Sequence, residues 1–238
     1  SIVQSCDVYF YDLALSLGID RIHDYLQNFG FGRASGIDIQ GELSGLLPSR
    51  SWKRARHDQP WFPGETLITG IGQGFFLVTP VQLATATAAL ANGGRLLQPN
   101  IIYAEQEANS DDLLPHQPRI MDTITISEQQ HWVAVIKSMT DVVHSARGTA
   151  RKIGEDSPWT IAGKTGTAQV YGLKQEEKYD AEAIPEELRD HALFIAFAPV
   201  EAPRIAVAVI IEHGGGGGSV AAPVARAILD AYLQSSPP

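Results

Sequence analysis

The sequence predicts an α/β (α+β) fold in which helices flank an antiparallel sheet, incomplete at its N-terminal end. Three strand-like segments, residues 159–170, 192–199 and 204–212, follow one another late in the chain. A short proline-flanked turn joins the last two, which suits antiparallel neighbours. Helical segments with capping signals stand before and after this group, so helices are available to cover the sheet.

The composition indicates one globular domain spanning residues 1–238, with no second domain. The chain of 238 residues is 44% hydrophobic and 19% charged, which is enough for a sizeable core. Its net charge of −9 argues against a nucleic-acid-binding surface. One cysteine excludes an internal disulfide, and no apolar run approaches the roughly 20 residues that span a bilayer. Because Ser1 already reads as mid-fold, we expect the chain to be a fragment, so the lack of a targeting signal in it says nothing about the full protein.

Two helices are predicted at the start of the chain. The first covers residues 8–17 and ends at Gly18, which suits the left-handed position after a helix. Asp20 is expected to cap the second helix, whose apolar residues recur at helical spacing. These residues are Ile22, Tyr25, Leu26 and Phe29, and we expect them to pack in the core.

The middle of the chain alternates irregular segments with one clear helix. Residues 36–39 are predicted to form a short strand. Residues 52–57 are predicted to be a basic cluster in a solvated loop; the alternative is a contact for an acidic partner. Residues 69–78 are rich in glycine but lack the lysine and hydroxyl residue of a phosphate loop, so we expect a tight turn near a site. A helix then begins after Thr79, with Gln82 completing a capping box.

The later elements follow the same signals. Residues 127–130 repeat the capping-box pattern ahead of a helix with one apolar face. That face carries Trp132, Val135, Ile136, Met139, Val142 and Val143. Residues 148–150 are expected to turn beneath the site, and the charged residues 171–190 to border it. Residues 214–218, all glycine, are predicted to be a hinge before a last helix capped by Ser219. Its inward face is expected to carry Val220, Val224, Ala227, Ile228 and Ala231.

A Lys164-Thr165-Gly166 triplet, followed by Thr167, lies inside a predicted strand rather than in a turn. Glycine in a strand marks a place where a ligand or another backbone comes close. Lysine adds a cation and the threonines add hydroxyl and N–H donors, so the strand suits an anionic, amide-bearing ligand. K-T-G occurs together with S-x-x-K and S-D-N in one group of serine enzymes. The chain offers Ser5-Cys6-Asp7 for S-D-N and contains no S-x-x-K.

These motifs, with others in the same order, make the chain similar to class B penicillin-binding proteins of the elongation type over almost its whole length. The others are residues 8–14, 70–74, 79–80, 92–94, 148–150, 168–170 and 189–191. The resemblance implies the penicillin-binding, serine β-lactamase-like transpeptidase fold, of which this chain would be the C-terminal portion without the S-x-x-K segment.

The resemblance implies a serine-type D-Ala-D-Ala transpeptidase that cross-links peptidoglycan stem peptides in rod-shape cell-wall elongation. A serine acyl-enzyme would form with release of D-alanine and pass its acyl group to an amine, and β-lactams would trap it. The implied partners are stem peptides, β-lactam antibiotics and a membrane glycosyltransferase of the elongation machinery, with no nucleic acid. The implied location is the periplasm, on a protein anchored in the inner membrane outside this chain. The fragment alone is expected to be inactive because it lacks the nucleophile.

Three residues receive catalytic roles from the resemblance. Ser5 would lie beside the missing lysine base and help relay a proton to the leaving amine. Asp7 stands where most relatives have asparagine; because an ionised aspartate only accepts hydrogen bonds, its role stays open. Lys164 would stabilise negative charge and the substrate carboxylate.

Three further residues receive substrate-binding roles. Thr165 would hydrogen-bond the substrate carboxylate, and Gly166 would let the substrate backbone approach. The Thr167 N–H would form half of an oxyanion hole, a donor that contributes about 3 kcal/mol in other acyl transferases.

Cys6 has two interpretations. A single buried cysteine is most often inert core. The resemblance instead implies a structural zinc in the intact protein, with two aspartates and a histidine from upstream completing the site around Cys6. No cofactor is implied for catalysis.

Two other functions stay open from the sequence. A serine β-lactamase is the nearest enzyme, although the spacing from Ser5 to Lys164 is longer than expected for that family and no deacylating glutamate is evident. A non-catalytic penicillin-recognising sensor or scaffold would keep the fold and only bind. Rapid β-lactam turnover would indicate the β-lactamase, and the absence of peptide exchange would indicate the sensor or scaffold.

Overall fold

The computed structural model describes residues 1–108, 111–170 and 184–235. Its helices and strands, in chain order, are α1 (Asp7–Gln27), α2 (Arg50–His57), α3 (Pro63–Gly70), α4 (Pro80–Ala91), β1 (Arg95–Leu97), β2 (Ala104–Gln106), β3 (Leu113–Pro115), β4 (Ile120–Thr123), α5 (Gln129–His144), β5 (Ala162–Ala168), β6 (His191–Ala198), β7 (Ile205–Ile211) and α6 (Ala222–Ser235). A π-helical turn, Gly217–Ala221, leads into α6. None of the described helices combines the length and apolar character needed to cross a membrane.

The largest sheet is antiparallel, with the strand order β5-β6-β7. Lys164 pairs with Ile195 across the first two strands, and Ala192 pairs with Ile211 across the last two. Two smaller antiparallel pairs, β1-β4 and β2-β3, lie apart from it. The predicted fold class, helices flanking an antiparallel sheet, is therefore confirmed, although β5 begins at Ala162 rather than at Trp159.

Both faces of β6 pack against helices, one of them fully buried and the other partly buried, in keeping with its continuous apolar sequence. On one face Phe194 packs in a cluster with Val142 of α5 and Leu229 of α6, each 0% exposed. On the other face Phe197 packs with Met139 of α5 and with residues of α4. Because α5 contributes to both clusters, it fixes the sheet relative to the helices around it.

The helix predictions near the N-terminus are partly confirmed. α1 has a break at Gly18, whose backbone angles of φ 75° and ψ 157° are not helical. The predicted cap of α4 is present, since the Thr79 hydroxyl accepts the Gln82 N–H and the Gln82 side chain accepts the Thr79 N–H. Core packing of Tyr25 is wrong, because its side chain is 45% exposed. The exposed face of α1 borders an open groove instead of a packed neighbour.

Two predictions in the middle of the chain are wrong. Residues 36–39 form no strand. The Asp38 carboxylate instead accepts the N–H groups of Ile101 and Ile102, which ties this loop to that segment. The basic cluster is not a loop but the helix α2, whose first turn is capped by a side chain outside it. Lys53 within it is buried and forms an ion pair with Glu65 of α3, a partner that only the fold supplies.

Three predictions about helix starts and faces also fail. The residue before α5 is Glu128, and no side chain caps this helix, so the capping box at residues 127–130 is absent. Ser219 lies in the π-helical turn and donates to Gly216 O rather than capping α6. The turn changes the helical phase, so a different face of α6 is buried. The buried residues are Ala222, Ala225, Leu229 and Leu233, whereas Val224 and Ile228 are exposed. Most of the predicted charged segment, residues 171–183, lies outside the described residues.

Candidate active site

A cleft of about 910 Å³ lies along the free edge of β5. It contains all six residues that sequence reasoning assigned to catalysis or substrate binding, and it leaves out Cys6. The six are Ser5, Asp7, Lys164, Thr165, Gly166 and Thr167. The N-terminal segment forms one wall, the end of α3 a second, and the glycine segment before α6 a third.

Lys164 and Ser5 meet in the centre of the cleft. Lys164 Nζ donates hydrogen bonds to Ser5 Oγ and to Thr165 O, both at 2.8 Å. Ser5 adopts a left-handed backbone with φ 51°, and its N–H donates to Ile2 O, which turns the chain before α1 begins. The expected proximity of the two side chains is therefore observed.

The ammonium group of Lys164 is partly desolvated. Burial lowers the pKa of its amine below the ordinary lysine value, and the nearby Asp7 carboxylate opposes this by raising it. A cation in such surroundings interacts more strongly with an anionic ligand than a fully hydrated one does. The cleft is therefore suited to a carboxylate, as the sequence predicts for this strand.

The edge of β5 that faces the cleft belongs to Thr165 and Thr167. β5 pairs only with β6 in the described sheet, so no strand pairs with its other edge there. The N–H and C=O of one strand residue point to the same edge. Because Thr167 O accepts a hydrogen bond from the Gln73 side chain at 2.7 Å on the cleft side, the Thr167 N–H faces the cleft as well. An oxyanion-hole donor requires this orientation.

Thr149 forms part of the cleft wall beside Thr165. Their Oγ1 atoms lie 3.0 Å apart, and Thr149 N–H donates to Val3 O, which connects the N-terminal segment to this turn. Residues 148–150 therefore do form a turn at the site. Sequence reasoning placed the turn correctly but did not assign Thr149 a binding role.

The glycine segment before α6 packs directly on β5. A Cβ atom on Gly217 would lie 2.3 Å from Leu193 O and 2.4 Å from Gly166 O, so only glycine fits there. A Cβ atom on Gly166 would itself lie 3.2 Å from the Leu193 side chain. Gly166 therefore does mark a close approach, as expected for a glycine in this strand, and the approaching group is the backbone of Gly217. The five glycines are therefore a packing element of the cleft rather than only a hinge.

Gln73 is the second residue that sequence reasoning missed. It lies between Gly72 and Gly74, both at positive φ, at the end of α3. The glycine-rich segment predicts a tight turn near a site. The signal that could have pointed to Gln73 is its position as a polar residue between Gly72 and Gly74 in that turn. Its contact with β5 depends on tertiary structure, so the sequence alone could not supply it.

Cys6 lies next to the cleft but is not buried. Its thiol is free and exposed, so the inert-core interpretation is wrong for the part of the chain that the structure describes. Within residues 1–108, 111–170 and 184–235, no group of three or more His, Cys, Asp or Glu side chains could hold a metal ion. A zinc site at Cys6 would therefore need most of its ligands from outside these residues.

An apolar groove of about 890 Å³ runs between α1 and α3 and is continuous with the cleft. The two share Phe10, Leu26, Gly70 and Gly72 as lining residues. The groove is otherwise lined mainly by apolar side chains, among them Leu13, Leu17, Ile22 and Phe76. An apolar surface of this size beside a polar cleft indicates an absent packing partner.

The model of the penicillin binding protein transpeptidase domain family matches residues 1–230. The chain is 42% identical over 239 residues to the peptidoglycan D,D-transpeptidase MrdA of Haemophilus influenzae, covering 100% of this chain and 36% of that protein. It is 40% identical over 232 residues to MrdA of Escherichia coli K12, covering 97% of this chain and 36% of that protein. The chain thus spans about a third of the length of these curated relatives.

Solved structures show the same similarity. Pseudomonas aeruginosa PBP2 in complex with WCK 5153 matches with a TM-score of 0.82 and 46% identity, over 99% of this chain and 48% of that one. Helicobacter pylori PBP2, in a complex with MreC, matches with a TM-score of 0.79 and 32% identity, over 98% of this chain and 39% of that one.

Proposed function

The chain belongs to the penicillin-binding protein transpeptidase domain family, as an elongation-type class B member. We propose that the whole protein is a serine D,D-transpeptidase that cross-links peptidoglycan stem peptides. The observation that carries this proposal is the hydrogen bond from Lys164 Nζ to Ser5 Oγ in the cleft. It joins the S-C-D and K-T-G motifs at a strand edge suited to an anionic peptide end.

The nucleophile and its base come from a segment outside these residues, because the sequence contains no S-x-x-K. That segment packs in the apolar groove between α1 and α3, since the groove opens directly into the cleft beside Gly70 and Gly72. A segment packed there brings its serine next to Ser5. This assignment also accounts for the many exposed apolar side chains on α1.

Acylation and deacylation then use the serine and lysine of that segment together with Ser5 of this chain. The nucleophilic serine attacks the carbonyl of the D-Ala-D-Ala peptide bond, and its proton passes to the lysine base. Ser5 relays a proton to the nitrogen of the leaving D-alanine. The amine of a second stem peptide then attacks the acyl-enzyme, losing its proton through the same groups, and releases the free serine.

Binding and charge stabilisation come from β5. The Lys164 ammonium group and the Thr165 hydroxyl bind the terminal carboxylate, and the Thr167 N–H donates to the developing oxyanion. Burial lowers the pKa of the Lys164 amine, and the Asp7 carboxylate opposes this by favouring the charged form. An aspartate in place of asparagine therefore serves this cleft electrostatically, without having to donate a hydrogen bond.

The proposed setting is the periplasm, on a protein anchored in the inner membrane by a part outside this chain. The proposed partners are stem peptides, β-lactams and the membrane glycosyltransferase of the elongation machinery. Related structures support such assemblies: one is a complex between PBP2 and MreC from Helicobacter pylori, and another is of a peptidoglycan synthase complex that coordinates polymerisation and crosslinking. Membership in this family makes β-lactam resistance through changes in this cleft a further expectation.

The Cys6 thiol is the proposed zinc ligand of the intact protein. It is free and exposed at the start of α1, so it can reach ligands from another segment. Thiolate is a preferred ligand for structural zinc, and two aspartates and a histidine from upstream complete the proposed set. Zinc bound there would have a structural role, linking the upstream ligands to Cys6, and would take no part in the chemistry.

The test is acylation of the intact protein by a labelled penicillin, followed by mapping of the adduct. We expect a slowly released adduct on a serine outside these residues, D-alanine release from a stem peptide, and no adduct on the isolated 238-residue chain. An adduct on Ser5, or acylation of the isolated chain, would contradict the proposal. Rapid turnover of the adduct would indicate a β-lactamase, and binding without peptide exchange would indicate a sensor.

A further inference from the structure

One side chain occupies the edge of β5 on which a peptide ligand would pair. Gln73 Nε2 donates to Thr167 O at 2.7 Å, and the Gln169 N–H donates to Gln73 Oε1 at 3.4 Å. The primary amide of Gln73 therefore engages one acceptor and one donor of the strand, two residues apart. A peptide group of an added strand would use the same two partners.

This edge is where a peptide substrate gains its main-chain hydrogen bonds. β5 pairs with β6 on one side only within the described sheet. An extended peptide binds such an edge by adding a strand, and its main-chain amides supply much of the affinity. Gln73 offers the same amide chemistry from within the molecule, so Gln73 and the ligand compete for Thr167 O and Gln169 N.

The backbone around Gln73 aims its side chain at this edge. Gly72 and Gly74 have φ 75° and 73°, and the Gln73 N–H donates to Ile68 O in the last turn of α3 at 3.1 Å. These two left-handed residues reverse the chain on either side of Gln73. Because the Gln73 side chain is half-buried, a change of its rotamer can vacate the strand edge.

We propose that Gln73 sets the selectivity of the cleft for amide-bearing ligands by closing the Thr167–Gln169 edge until such a ligand displaces it. This inference rests on the proposed function. A ligand with a peptide-like amide competes with Gln73. Its apparent affinity falls as the fraction of molecules in which Gln73 occupies the strand edge rises. A ligand without such an amide leaves the contact in place and is unaffected. Gln73 is thus a specificity-determining residue that touches the strand and not the reacting atoms.

The test compares two β-lactams on the intact protein and its Gln73→Ala variant. Benzylpenicillin carries an acylamino arm, whereas a carbapenem carries a hydroxyethyl group instead. We expect Gln73→Ala to raise the ratio of the benzylpenicillin to the carbapenem acylation rate constant about three- to tenfold, the size of one ordinary hydrogen bond. Gln73→Glu should raise it as well, because a carboxylate cannot donate to Thr167 O. Gln130→Ala on the exposed surface of α5 is the matched control and should leave the ratio unchanged.

The outcomes separate this inference from the proposed function. A wild-type protein acylated by both compounds, with a ratio that is unchanged or lowered in Gln73→Ala, overturns the inference alone. A wild-type protein acylated by neither overturns the proposed function and the inference with it. Carbapenem acylation reports folding of the variant, and faster hydrogen exchange at the Gln169 amide in Gln73→Ala gives an independent positive readout. Unchanged exchange at that amide contradicts the closed edge.

Discussion

Lys164 Nζ donates to Ser5 Oγ at 2.8 Å, although 159 residues separate the two in sequence. The strand that carries Lys164 is fixed by its pairing with β6, and the segment that carries Ser5 is held by the hydrogen bond from Thr149 N–H to Val3 O. A cation and a hydroxyl held in this way form a preorganised pair for negative charge.

Replacing the cation tests this relationship directly. Lys164→Met removes the charge and the donor to Ser5 Oγ while keeping the length of the side chain. We expect the rate constant for acylation of the intact protein by a labelled penicillin to fall about 100-fold or more, as for the loss of one oxyanion donor elsewhere. Lys137→Met, which removes an exposed lysine paired with Asp141 on α5, is the matched control. Equal rates in the two variants would show that Lys164 carries no charge-stabilising role.

The pH dependence of acylation follows from the surroundings of Lys164. Burial lowers the pKa of its amine, so the protonated donor is lost below the pH at which an ordinary lysine deprotonates. We therefore expect the alkaline limb of the acylation profile to begin below the ordinary lysine value. Asp7→Asn removes the carboxylate that raises this pKa, so the limb should move further down in pH. Asp12→Asn, one turn further along α1, should leave it in place, and an upward move in Asp7→Asn would contradict the assignment.

The Thr149 hydroxyl is expected to support carboxylate binding together with Thr165. Thr149→Val keeps the shape of the side chain but removes the oxygen that lies 3.0 Å from Thr165 Oγ1. We expect the affinity for a carboxylate-bearing ligand to fall about three- to tenfold, the range of one hydrogen bond. Thr149→Ser should restore it, and an ester of the same ligand should bind both forms alike. Loss of ester binding in Thr149→Val would indicate a folding defect instead of a lost contact.

The sequence predicted the sheet and the K-T-G strand well because both depend on local patterns. The apolar runs around Phe194 and Val209 are continuous enough to mark buried strands, and the residues of Lys164-Thr165-Gly166 carry their chemistry with them. Ser5 and Lys164 could be placed together only through the resemblance, since nothing in the spacing of two distant residues dictates contact.

The failures share a dependence on tertiary or irregular structure that local patterns do not encode. Lys53 reads as a solvated charge, yet Glu65 neutralises it in a buried ion pair and Phe62 covers its ammonium group at 4.3 Å. Tyr25 reads as core, yet the groove beside it has no partner among the described residues. The inward face of the last helix is predicted as a regular helical repeat that begins at Val220, and the π-helical turn Gly217–Ala221 interrupts that repeat.

The ion pair between Lys53 and Glu65 should contribute strongly to stability. Lys53 is 2% exposed, and the Glu65 carboxylate also accepts the Phe62 N–H that begins α3. Glu65→Gln leaves the Lys53 charge buried without its partner, so we expect the free energy of unfolding to fall by about 3 kcal/mol. Urea unfolding of the whole protein, monitored through the loss of penicillin acylation, measures the change in the free energy of unfolding. The double variant Lys53→Met with Glu65→Gln should recover part of it, and no recovery would mean that the pair acts only through the start of α3.

Removal of the Cys6 thiol tests the proposed zinc. We expect the intact protein to hold about one zinc per chain, and Cys6→Ser to lose it, because a hydroxyl is a much poorer zinc ligand than a thiolate. Since binding to the folded state alone stabilises that state, a chelator should lower the unfolding temperature of the wild-type protein and leave the variant unchanged. Ser16→Ala, at an exposed hydroxyl on α1 that donates to Leu13 O in its own helix, is the matched control and should keep its metal. Intact protein without zinc, and with the same unfolding temperature in the presence of chelator, would show that Cys6 is an exposed thiol with no ligand role.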